Sequence, residues 1–577
     1  MSVTTPAADA WDAVVIGAGA AGLTAACTAA AMGRSVLVLE QADVVGGTTA
    51  ISGGMVWLPV NHKMAEAGRP DSLEAARTYL AATVPGERRE KLEMFLAQSD
   101  PALRDLEAKT ALRFQPVLTY PDYYPDLPGG TTGGRVLEPV PFDGRHLGPA
   151  FDLVRDPLPE FTLFGGMMIS RKDIPHFRRA MKSLPSALRA GRLLLEYLFQ
   201  RLKTRRGTSL YLGNALVARL LRSALDLGVT IRTGVGVESL ELGSDGRVSA
   251  ISSIDRNGRR DRIGVRRGVI LATGGLSHQH DLRSKYVPEA AGALTATVRS
   301  GSMPRGAVLA TAVGARLSPP MRDGAFWVPA STFVRPDGSE GVFPHTVTDR
   351  AKPGLIAIDS NGQRFVNEAL SYHEFVRAQL SHANSAIPAW LICDRGFIWK
   401  YGLGKIKPFT ASLKADIASG YLIEAATIAD LSLQVGVPAT ALAQTVERFN
   451  VAAERGEDPE FGRGGDVYQR SLGDADVKPN PCIAPIRKAP FYAVKVVPAD
   501  LGMSAGIVTD ASARVLREKG GIVPGLYACG NDMASIMNGN YPGPGITLGP
   551  ALTFGYIAGR HLAERAVVAA SPAAASV

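Results

Sequence analysis

A glycine-rich turn near the start of the chain constrains the fold more than any other feature of the sequence. Gly17, Gly19 and Gly22 separate a short apolar strand predicted at residues 13–16 from a helix predicted at residues 20–32. Glycine at these positions lets backbone N–H groups and the start of the helix approach a pyrophosphate without interference from a Cβ atom. The pattern therefore predicts a Rossmann-like βαβ unit that binds a dinucleotide.

An acidic residue after the second predicted strand supports this interpretation. The strand covers residues 35–39, and Glu40 follows Gly22 by 18 residues. A carboxylate in this position accepts hydrogen bonds from ribose hydroxyls and repels a 2′-phosphate. Within this unit we expect the cofactor to contact Gly17, Gly19, Ala20, Ala21, Gly22 and Glu40.

Three further glycine clusters favour FAD over NAD, because a longer ligand needs more close approaches to the backbone. The first begins six residues after Glu40, the second follows a strand predicted at residues 268–271, and the third lies near the C-terminus. Each cluster could instead be an ordinary turn at the end of a strand. The cofactor-binding residues predicted from them are Gly46, Gly47, Thr48, Thr49, Ser52, Gly53, Gly54, Ala272, Thr273, Gly274, Gly530 and Asn531.

The length and the residue pattern predict more than one domain. The chain has 577 residues, which exceeds what a single hydrophobic core needs. Asp245-Gly246 and Asn257-Gly258 are strong hairpin signals and predict an antiparallel meander. We expect an α/β fold in which a discontinuous FAD-binding domain, residues 1–330 and 500–577, is closed by the C-terminus. Residues 331–499 are expected to form an inserted α+β catalytic domain.

The positive charge of the chain is confined to one segment. Residues 171–206 contain eleven Lys and Arg residues against Asp173 and Glu196, so their surplus of nine equals the net charge of +9 for the whole chain. Apolar residues recur here at alternating steps of four and three, which predicts an amphipathic helix with a kink at Pro185. The apolar stripe consists of Phe177, Met181, Leu184, Leu188, Gly191, Leu195, Leu198 and Leu202.

A basic amphipathic helix fits two different environments. It can lie in an anionic membrane surface, with the apolar stripe inserted and the basic residues at the headgroups. It can also be a solvated helix that packs on its own domain. We assign it to an insertion at residues 145–206 and expect a peripheral membrane contact through residues 171–206. No nucleic-acid partner is expected, because that would leave the apolar stripe unexplained.

Cysteine usage and the first residues bear on the cellular compartment. The four cysteines have no C-x-x-C spacing, so neither a disulfide framework nor a metal site is predicted. Residues 1–10 contain no basic residue before an apolar run, which does not fit a secretory signal. We expect a cytoplasmic protein associated with the inner face of the membrane.

Together the glycine clusters and Glu40 resemble the fumarate reductase and succinate dehydrogenase flavoprotein superfamily over most of the chain. Three further motifs are similar to those of the 3-ketosteroid Δ1-dehydrogenases within that superfamily. They are Tyr541-Pro-Gly-Pro-Gly545-Ile-Thr-Leu-Gly549, Arg364-Phe-Val-Asn-Glu368 together with Tyr372, and Pro121-Asp122-Tyr123.

This resemblance implies that FAD removes a hydride from C1 of a 3-ketosteroid while a base removes a proton from C2. It implies that Tyr372 is the base, that Tyr123 donates a hydrogen bond to it, and that the Tyr541 hydroxyl and the Gly545 amide hold the C3 oxygen. A hydroxyl and a backbone N–H are a minimal site for polarising a carbonyl. A second tyrosine that donates a hydrogen bond favours the anion of the first. Tyr120 or Tyr124 could take the place of Tyr123.

The resemblance also bears on the cofactor. It adds Gly545, Thr547 and Leu548 to the expected flavin contacts, and the electron acceptor is expected to be a quinone or another carrier. Residues 46–54 contain no histidine, so FAD is expected to be noncovalently bound. Ser302-Met-Pro-Arg-Gly306 stands where the superfamily usually has a Gly-Asp-Gly turn.

Two alternatives stay open at the level of the sequence. One is a 3-ketosteroid Δ4-dehydrogenase of the same superfamily, which would act at C4 and C5. The other is a flavin-containing lipid-binding protein without turnover. A fumarate-reductase-like activity is disfavoured, because dicarboxylates require clustered Arg and His, whereas the candidate site is rich in tyrosine.

Overall fold

The computed structural model describes residues 10–86, 89–170, 172–298, 305–347 and 349–565. Two parts of the sequence discussed above lie outside these residues. They are Arg171 of the basic segment and residues 302–304 of the Ser302-Met-Pro-Arg-Gly306 motif.

Strands and helices alternate through the first 300 residues, and a second group of strands follows. The strands are β1 (Ala10–Ile16), β2 (Val36–Glu40), β3 (Val56–Trp57), β4 (Phe114–Pro116), β5 (Val136–Pro139), β6 (Phe142–Asp143), β7 (Ser209–Leu210), β8 (Thr230–Thr233), β9 (Val235–Leu242), β10 (Val248–Asp255), β11 (Arg260–Leu271), β12 (Ala325–Val334), β13 (Glu340–Pro344), β14 (Leu355–Ile358), β15 (Ala389–Asp394), β16 (Ile423–Ala425), β17 (Phe491–Met503), β18 (Arg514–Leu516) and β19 (Ile522–Ala528).

The helices alternate with these strands along the chain. They are α1 (Ala20–Ala31), α2 (Gly47–Ile51), α3 (His62–Glu66), α4 (Leu73–Thr83), α5 (Arg89–Lys109), α6 (Ile174–Arg179), α7 (Leu184–Arg201), α8 (Leu212–Asp226), α9 (His280–Arg283), α10 (Gly306–Ala312), α11 (Tyr372–Ser381), α12 (Ala383–Ala386), α13 (Arg395–Tyr401), α14 (Lys414–Ala418), α15 (Ile428–Val435), α16 (Ala439–Ala453), α17 (Val467–Leu472) and α18 (Leu548–Glu564).

The first sheet has the order β18-β19-β11-β1-β2-β8 and a parallel centre. β1 pairs in parallel with β11 and β2, β2 with β8, and β11 with β19. At its centre, β2 is buried along its whole length and β1 is buried from Ala13 to Ile16, as expected for a sheet covered on both faces. The predicted Rossmann-like unit is therefore confirmed. β9, β10 and β11 form the antiparallel meander that the two hairpin signals predicted.

The C-terminal helix closes this domain by packing directly on the first one. A Cβ atom added at Gly555 of α18 would lie 2.6 Å from the carbonyl oxygen of Ala21, and one at Gly559 would lie 2.4 Å from that of Ala25. The backbones of α1 and α18 therefore approach more closely than any larger residue permits. This contact places the middle of α18 beside the first turn of α1, which follows the glycine-rich turn.

The second sheet is antiparallel and has the order β13-β12-β17-β15-β14, with β16 paired to β17. β12 pairs with β17, which also pairs with β15. β12 crosses the domain boundary expected at residue 330 and β17 the one expected at residue 500, and both strands belong wholly to this second sheet. We propose that this sheet and its helices are the catalytic domain.

The basic segment forms two helices rather than one kinked helix. α6 ends at Arg179, and α7 begins at Leu184 with Pro185 in its first turn. Proline is favoured in the first turn of a helix, where its missing N–H group has no intrahelical partner to lose. The expected kink at Pro185 is therefore wrong: Pro185 begins the second helix.

A buried polar chain lies within the antiparallel domain. The Nδ1 atom of His345 is 2.6 Å from a carboxylate oxygen of Asp349, and its Nε2 atom is 2.8 Å from the hydroxyl of Ser331. Tyr421 continues the chain with a hydroxyl 2.9 Å from that of Ser331. Burial raises the pKa of Asp349, but the charge and hydrogen bond of His345 outweigh it and lower the pKa to about 2.

Because the pKa of Asp349 is lowered in the folded protein, its contribution to stability is present above about pH 4 and is lost as the pH falls towards 2. The shift corresponds to about 2 kcal/mol of unfolding free energy. We expect Asp349→Asn to be less stable than the wild type at pH 5, and the two to converge as the pH falls. Urea unfolding of both proteins between pH 5 and 2.5 measures this difference. Parallel stability curves for the two proteins would contradict it.

Candidate active site

Three tyrosines from distant parts of the chain meet in one buried cluster. The Tyr372 hydroxyl donates a hydrogen bond of 2.8 Å to the Tyr541 hydroxyl. The Tyr123 ring lies 5.5 Å from the Tyr541 ring and 5.7 Å from the Tyr372 ring, measured between centroids. The structure therefore brings together the three catalytic tyrosines predicted from the sequence.

Tyr372 is the first residue of α11. Ser371 caps this helix, and its hydroxyl accepts a hydrogen bond from the N–H group of Glu374. A serine at this position satisfies one of the N–H groups that a helix start leaves without a partner. The helix therefore presents Tyr372 from a fixed first turn.

Tyr541 lies in the loop before α18, and this loop holds Tyr123 through its backbone. The carbonyl oxygen of Pro542 accepts hydrogen bonds from the N–H group of Tyr123 at 3.0 Å and from the hydroxyl of Tyr79 at 2.5 Å. Asp122, the neighbour of Tyr123, accepts from the indole of Trp57 at 2.8 Å and pairs with Arg135 at 2.9 Å. Tyr123 is thus fixed by a buried ion pair and by the loop that carries Tyr541.

Arg377 ties α11 to the same loop. Its guanidinium donates to the side chain of Asn540 at 3.0 Å, to Asp323 at 2.7 Å and to Glu374 at 2.7 Å. Because Arg377 and Tyr372 belong to one helix, this contact fixes the separation of Tyr372 and Tyr541.

The contacts of Tyr123 differ from those of the two alternatives, Tyr120 and Tyr124. The Tyr124 hydroxyl donates to Glu374 at 2.7 Å and is therefore engaged away from the base. Tyr120 stacks on Tyr468, with ring centroids 6.5 Å apart. The ring contacts of Tyr123 with both Tyr372 and Tyr541 favour Tyr123 for the assisting role. Its hydroxyl is buried and forms no hydrogen bond of standard geometry with the described residues, but it acts on the Tyr372 oxygen in the direction that the expected bond requires, so that bond stays a prediction.

Electrostatics keep the cluster protonated before a substrate arrives. Burial raises the pKa of Tyr372 well above its usual value, and Tyr541 and Tyr120 act in the same direction. The Tyr123 hydroxyl opposes this shift and lowers the pKa of Tyr372. Catalysis by Tyr372 as a base therefore requires surroundings that favour its anion.

Gly545 lies where the loop before α18 presses against β3. Its backbone has a φ of +93°, and an added Cβ atom would lie 2.6 Å from the carbonyl oxygen of Met55. Its carbonyl oxygen accepts a hydrogen bond of 3.2 Å from the N–H group of Trp57. Only glycine fits this conformation and this contact, so the position of the loop depends on it.

Sequence reasoning missed two residues of this cluster. The Tyr468 ring lies 4.8 Å from that of Tyr123, and its hydroxyl is buried without a hydrogen-bond partner. The His373 ring lies 5.6 Å from that of Tyr541, and its Nδ1 atom accepts a hydrogen bond from the N–H group of Trp327. The adjacency of His373 to Tyr372 was a usable signal, whereas nothing in the sequence around Tyr468 marks it.

The glycine-rich turn is held in place by its own neighbours. Gly17 has a φ of +106°, and an added Cβ atom would lie 2.2 Å from the carbonyl oxygen of Ala272. The Glu40 carboxylate accepts hydrogen bonds from the N–H groups of Ala18 and Ala42 at 2.9 and 3.0 Å. The predicted acidic residue therefore fixes the turn, and its contact with a ribose stays a prediction. Gly22 also packs against Gly17, whose carbonyl oxygen would lie 2.0 Å from an added Cβ atom.

The glycine cluster at residues 46–54 forms the short helix α2 beside this turn. The Thr49 hydroxyl accepts from the N–H group of Ala20 at 3.2 Å, and that of Thr48 accepts from Val298 at 3.0 Å. Ser52 donates to the Thr49 carbonyl and accepts from the N–H group of Gly54.

Open space borders several of the predicted cofactor contacts. A Cβ atom added at Gly47 or Gly53 would meet no atom within 4 Å, and one at Gly19 would meet only Thr49 at 3.9 Å. The helices α1, α2 and α18 begin at Gly19, Gly46 and Thr547 without a side-chain cap. Uncapped helix starts around open space provide N–H groups for an anionic ligand. The cradle thus fits the pyrophosphate and flavin of FAD, with Leu548 as the first residue of α18.

Asp532 joins the two remaining clusters and was not predicted. Its buried carboxylate accepts from the N–H group of Thr273 at 2.5 Å, from the Thr273 hydroxyl at 2.9 Å and from the N–H group of Gly275 at 2.9 Å. Gly274 therefore lies in a turn fixed by the loop of Gly530 and Asn531. Burial raises the pKa of Asp532, while these donors oppose the shift.

Comparison with known proteins decides the family. A family model described as an FAD binding domain matches residues 12–548. A 3-oxosteroid 1-dehydrogenase of Mycobacterium tuberculosis (strain ATCC 25618 / H37Rv) is 35% identical over 96% of this chain and 99% of the relative. The chain belongs to the 3-oxosteroid 1-dehydrogenase family of FAD-binding flavoproteins. It is an FAD-dependent oxidoreductase.

Two further relatives describe the range of this family. A 4-oxocyclohex-2-ene-1-carboxylate 5-dehydrogenase of Sinomonas cyclohexanicum is 38% identical over 96% of this chain and 94% of the relative. The crystal structure of a 3-ketosteroid Δ1-dehydrogenase from Sterolibacterium denitrificans in complex with 1,4-androstadiene-3,17-dione matches with a TM-score of 0.88. That protein is 37% identical over 96% of this chain and 99% of the other.

The described part of the chain lacks two other features. It contains no cluster of His, Cys, Asp or Glu suited to a metal ion. None of its helices combines the length and the apolar character needed to span a bilayer.

The close contact of Gly17 with Ala272 predicts a selective loss of FAD in Gly17→Ala. The new Cβ atom would displace the Ala272 loop and strain a backbone that favours glycine, so we expect FAD binding at least about tenfold weaker. Gly33→Ala is the matched control, because Gly33 also has a positive φ but an added Cβ atom there meets nothing within 4 Å. The ratio of flavin to protein absorbance after dialysis measures the effect. Equal flavin content in the two variants would contradict it.

Proposed function

We propose that this flavoprotein catalyses the 1,2-dehydrogenation of a 3-ketosteroid. The contact of 2.8 Å between the Tyr372 and Tyr541 hydroxyls is the observation that carries the proposal. The contact supports a site in which one hydroxyl acts as the base and the neighbouring hydroxyl donates to the ketone oxygen. Removal of a proton from the carbon next to a ketone requires both groups close together. Bound FAD supplies the acceptor for the C1 hydride, and we propose that it is noncovalently held.

In this proposal Tyr541 binds the C3 oxygen of the ketone and Tyr372 takes the C2 proton. The Tyr541 hydroxyl accepts its hydrogen bond from Tyr372, so its own hydrogen is available to the C3 oxygen. The Gly545 N–H group is the second donor, which lets negative charge develop on that oxygen as C2–H breaks. Tyr372 first loses its own proton to solvent, which makes its oxygen an anion. The C2 proton then passes to that phenolate oxygen, the C1 hydrogen leaves with its electron pair as the hydride that bound FAD would accept, and the C1=C2 double bond forms.

The substrate class follows from the surroundings of the cluster. Arg350 and Arg377 contact the segments that carry Tyr372 and Tyr541, and their donors are engaged by carbonyl oxygens, carboxylates and an amide. A substrate carboxylate needs a cation with free donors. The engaged cations favour an uncharged steroid ring. The relative that acts on 4-oxocyclohex-2-ene-1-carboxylate makes dehydrogenation of a small cyclic keto acid the second candidate function.

We expect androst-4-ene-3,17-dione to bleach the flavin anaerobically and to give the 1,4-dien-3-one, with 4-oxocyclohexanecarboxylate at least tenfold slower. Product analysis also separates Δ1 from Δ4 dehydrogenation, and bleaching excludes a lipid-binding protein without turnover. Faster reduction by the keto acid would select the second candidate function.

Single hydroxyl deletions test the assigned roles. Tyr372→Phe removes the base and spares the carbonyl donors, so steroid binding is expected to survive while flavin reduction falls steeply. Tyr541→Phe removes one of two donors to the oxygen, and the rate is expected to fall by about 10²–10³. In deuterated buffer with reduced flavin, exchange at C2 is expected to stop in Tyr372→Phe. Exchange at the wild-type rate would show that another group takes the proton.

We further propose that α6 and α7 attach the enzyme to the cytoplasmic face of an anionic membrane. The apolar stripe predicted from the sequence lies on the exposed side of α7, where Leu184, Leu188, Leu195 and Leu202 are 58–79% exposed. The buried side of the helix carries Ala190, Leu193 and Tyr197. An exposed stripe beside basic residues supports an interfacial helix over one packed on its own domain.

An exposed ion pair connects the segment to the second domain. Arg179 pairs with Asp476 at 3.0 Å, whereas Arg205 pairs with Asp156 of the same insertion. A membrane-bound segment would thus hold the body of the enzyme at the surface, where apolar ketones concentrate and a quinone can reoxidise the flavin. The quinone, or another carrier of the same kind, is part of this proposal.

The membrane proposal predicts selective loss of vesicle binding. We expect replacement of Leu184, Leu188, Leu195 and Leu198 by Ser to reduce binding to phosphatidylglycerol vesicles at low salt at least about tenfold. The matched control replaces Leu225, Leu242, Val334 and Leu433, which are also exposed but lie outside the segment. Co-sedimentation measures both variants. Equal binding by the wild type and the first variant would refute attachment through α7.

A further inference from the structure

Arg350 is a buried cation held entirely by backbone carbonyls. Its side chain donates to the carbonyl oxygens of His345 at 2.8 Å, Thr346 at 2.9 Å, Glu368 at 2.9 Å and Leu370 at 3.2 Å. The residue is 1% exposed. In the described part of the chain, no carboxylate lies within ion-pair distance of its guanidinium.

Burying a cation without a paired carboxylate costs free energy of folding. A buried cation loses its hydration, and neutral carbonyl groups replace only part of that interaction. Burial accordingly lowers the pKa of Arg350, while Tyr468, Asp349 and Tyr123 favour its charged form. An apolar side chain of similar length would fill the same space without this cost.

The carbonyl partners place Arg350 beside the segment that leads into Tyr372. Glu368 and Leu370 belong to the segment that leads into Tyr372, the first residue of α11. The guanidinium carbon also lies 5.0 Å from the centre of the Phe375 ring, in the first turn of the same helix. The start of α11 is therefore held on Arg350 both before and after Tyr372.

The charge of Arg350 also faces the tyrosine cluster. It lowers the pKa of Tyr468, whose ring lies 4.8 Å from that of Tyr123. The positive end of the α11 dipole acts in the same sense on an anion at Tyr372. The titratable and charged groups around Arg350 and Tyr372 are Tyr120, Tyr123, Tyr468, Tyr541, Asp349, Arg463, His373, Glu374 and Arg377.

The acidic groups near the cluster have partners of their own. Glu374 is paired with Arg377 at 2.7 Å, and Asp349 is 2.6 Å from His345. Among the residues that the structure describes, Arg350 is therefore a cation without a paired carboxylate that can stabilise negative charge on the tyrosines.

We infer that Arg350 is a positioning residue for proton abstraction, which fixes the start of α11 and places a positive charge beside the tyrosine cluster that must become anionic. This inference rests on the proposed function of Tyr372 as base. The inference explains why a charged side chain is buried here, which a purely structural contact does not require.

The pH dependence of flavin reduction distinguishes the two roles. We expect Arg350→Met to raise the apparent pKa of the base in anaerobic reduction by androst-4-ene-3,17-dione. The reduction rate at pH 7 should therefore fall at least about tenfold and recover as the pH rises. Arg350→Lys keeps the charge but loses the planar donor fork, so its profile should lie between those of the wild type and Arg350→Met.

Arg219→Met is the matched control. Arg219 is also buried and donates only to carbonyl oxygens, those of Val140, Ala111 and Pro141. Its replacement should lower stability and leave the pH profile of flavin reduction unchanged. A profile shifted equally in Arg219→Met would assign the effect to general loss of structure and overturn the inference.

Two further outcomes decide the matter. A wild-type profile in Arg350→Met, or equal profiles in Arg350→Met and Arg350→Lys, would overturn the inference. If Arg350→Met does not retain FAD, Arg350→Gln replaces it as the uncharged variant, and equal profiles for Gln and Lys would overturn the inference in the same way. Failure of the wild type to reduce its flavin with the steroid would instead reject the proposed substrate, and the same profiles would then be measured with 4-oxocyclohexanecarboxylate.

Discussion

The hydrogen bond between Tyr372 and Tyr541 joins two parts of the chain that belong to different sheets. Tyr372 starts a helix packed on the antiparallel sheet, whereas Tyr541 belongs to the loop that leads into the C-terminal helix of the flavin domain. Its geometry depends on contacts from both sides: Arg377 ties the helix to the loop, and Asp122 with Arg135 fixes Tyr123 against them. The site is therefore a property of the interface between the two sheets.

Local signals in the sequence predict the first turn of the flavin cradle. The turn from Gly17 to Gly22 and the acidic Glu40 fold within one βαβ unit, so their spacing alone predicts their geometry. Asp532 could not be found in this way, because its partner Thr273 lies 259 residues earlier in the chain. A carboxylate that organises two distant turns has no local pattern.

The tyrosine cluster was predictable only through motifs shared with a known family. Tyr123, Tyr372 and Tyr541 each lie in such a motif, whereas Tyr468 and Arg350 do not, and only the fold brings these two to the cluster. For the basic segment, periodicity predicted the apolar stripe. It could not show that the stripe faces solvent, because the same period fits an exposed and a buried face.

The motif Arg364-Phe-Val-Asn-Glu368 marks the family without touching the reacting groups. Arg364 pairs with Glu368 at 2.8 Å and with Asp458 at 2.7 Å, and Glu368 also pairs with Arg463 at 3.1 Å. The backbone carbonyl of Glu368 in turn accepts a hydrogen bond from Arg350. A buried ion network of this kind fixes the strand end from which the chain reaches Tyr372.

The order of strands in the first sheet has a consequence for synthesis of the protein. β1 lies at the centre beside β11, which pairs with β19, and α1 packs on α18. On the ribosome, the glycine turn emerges more than 500 residues before the helix that completes its cradle. The nascent chain must therefore keep its first apolar strand and helix soluble while these residues are synthesised. The cradle is complete only when α18 has left the ribosome, and a chain that lacks α18 has no finished cradle.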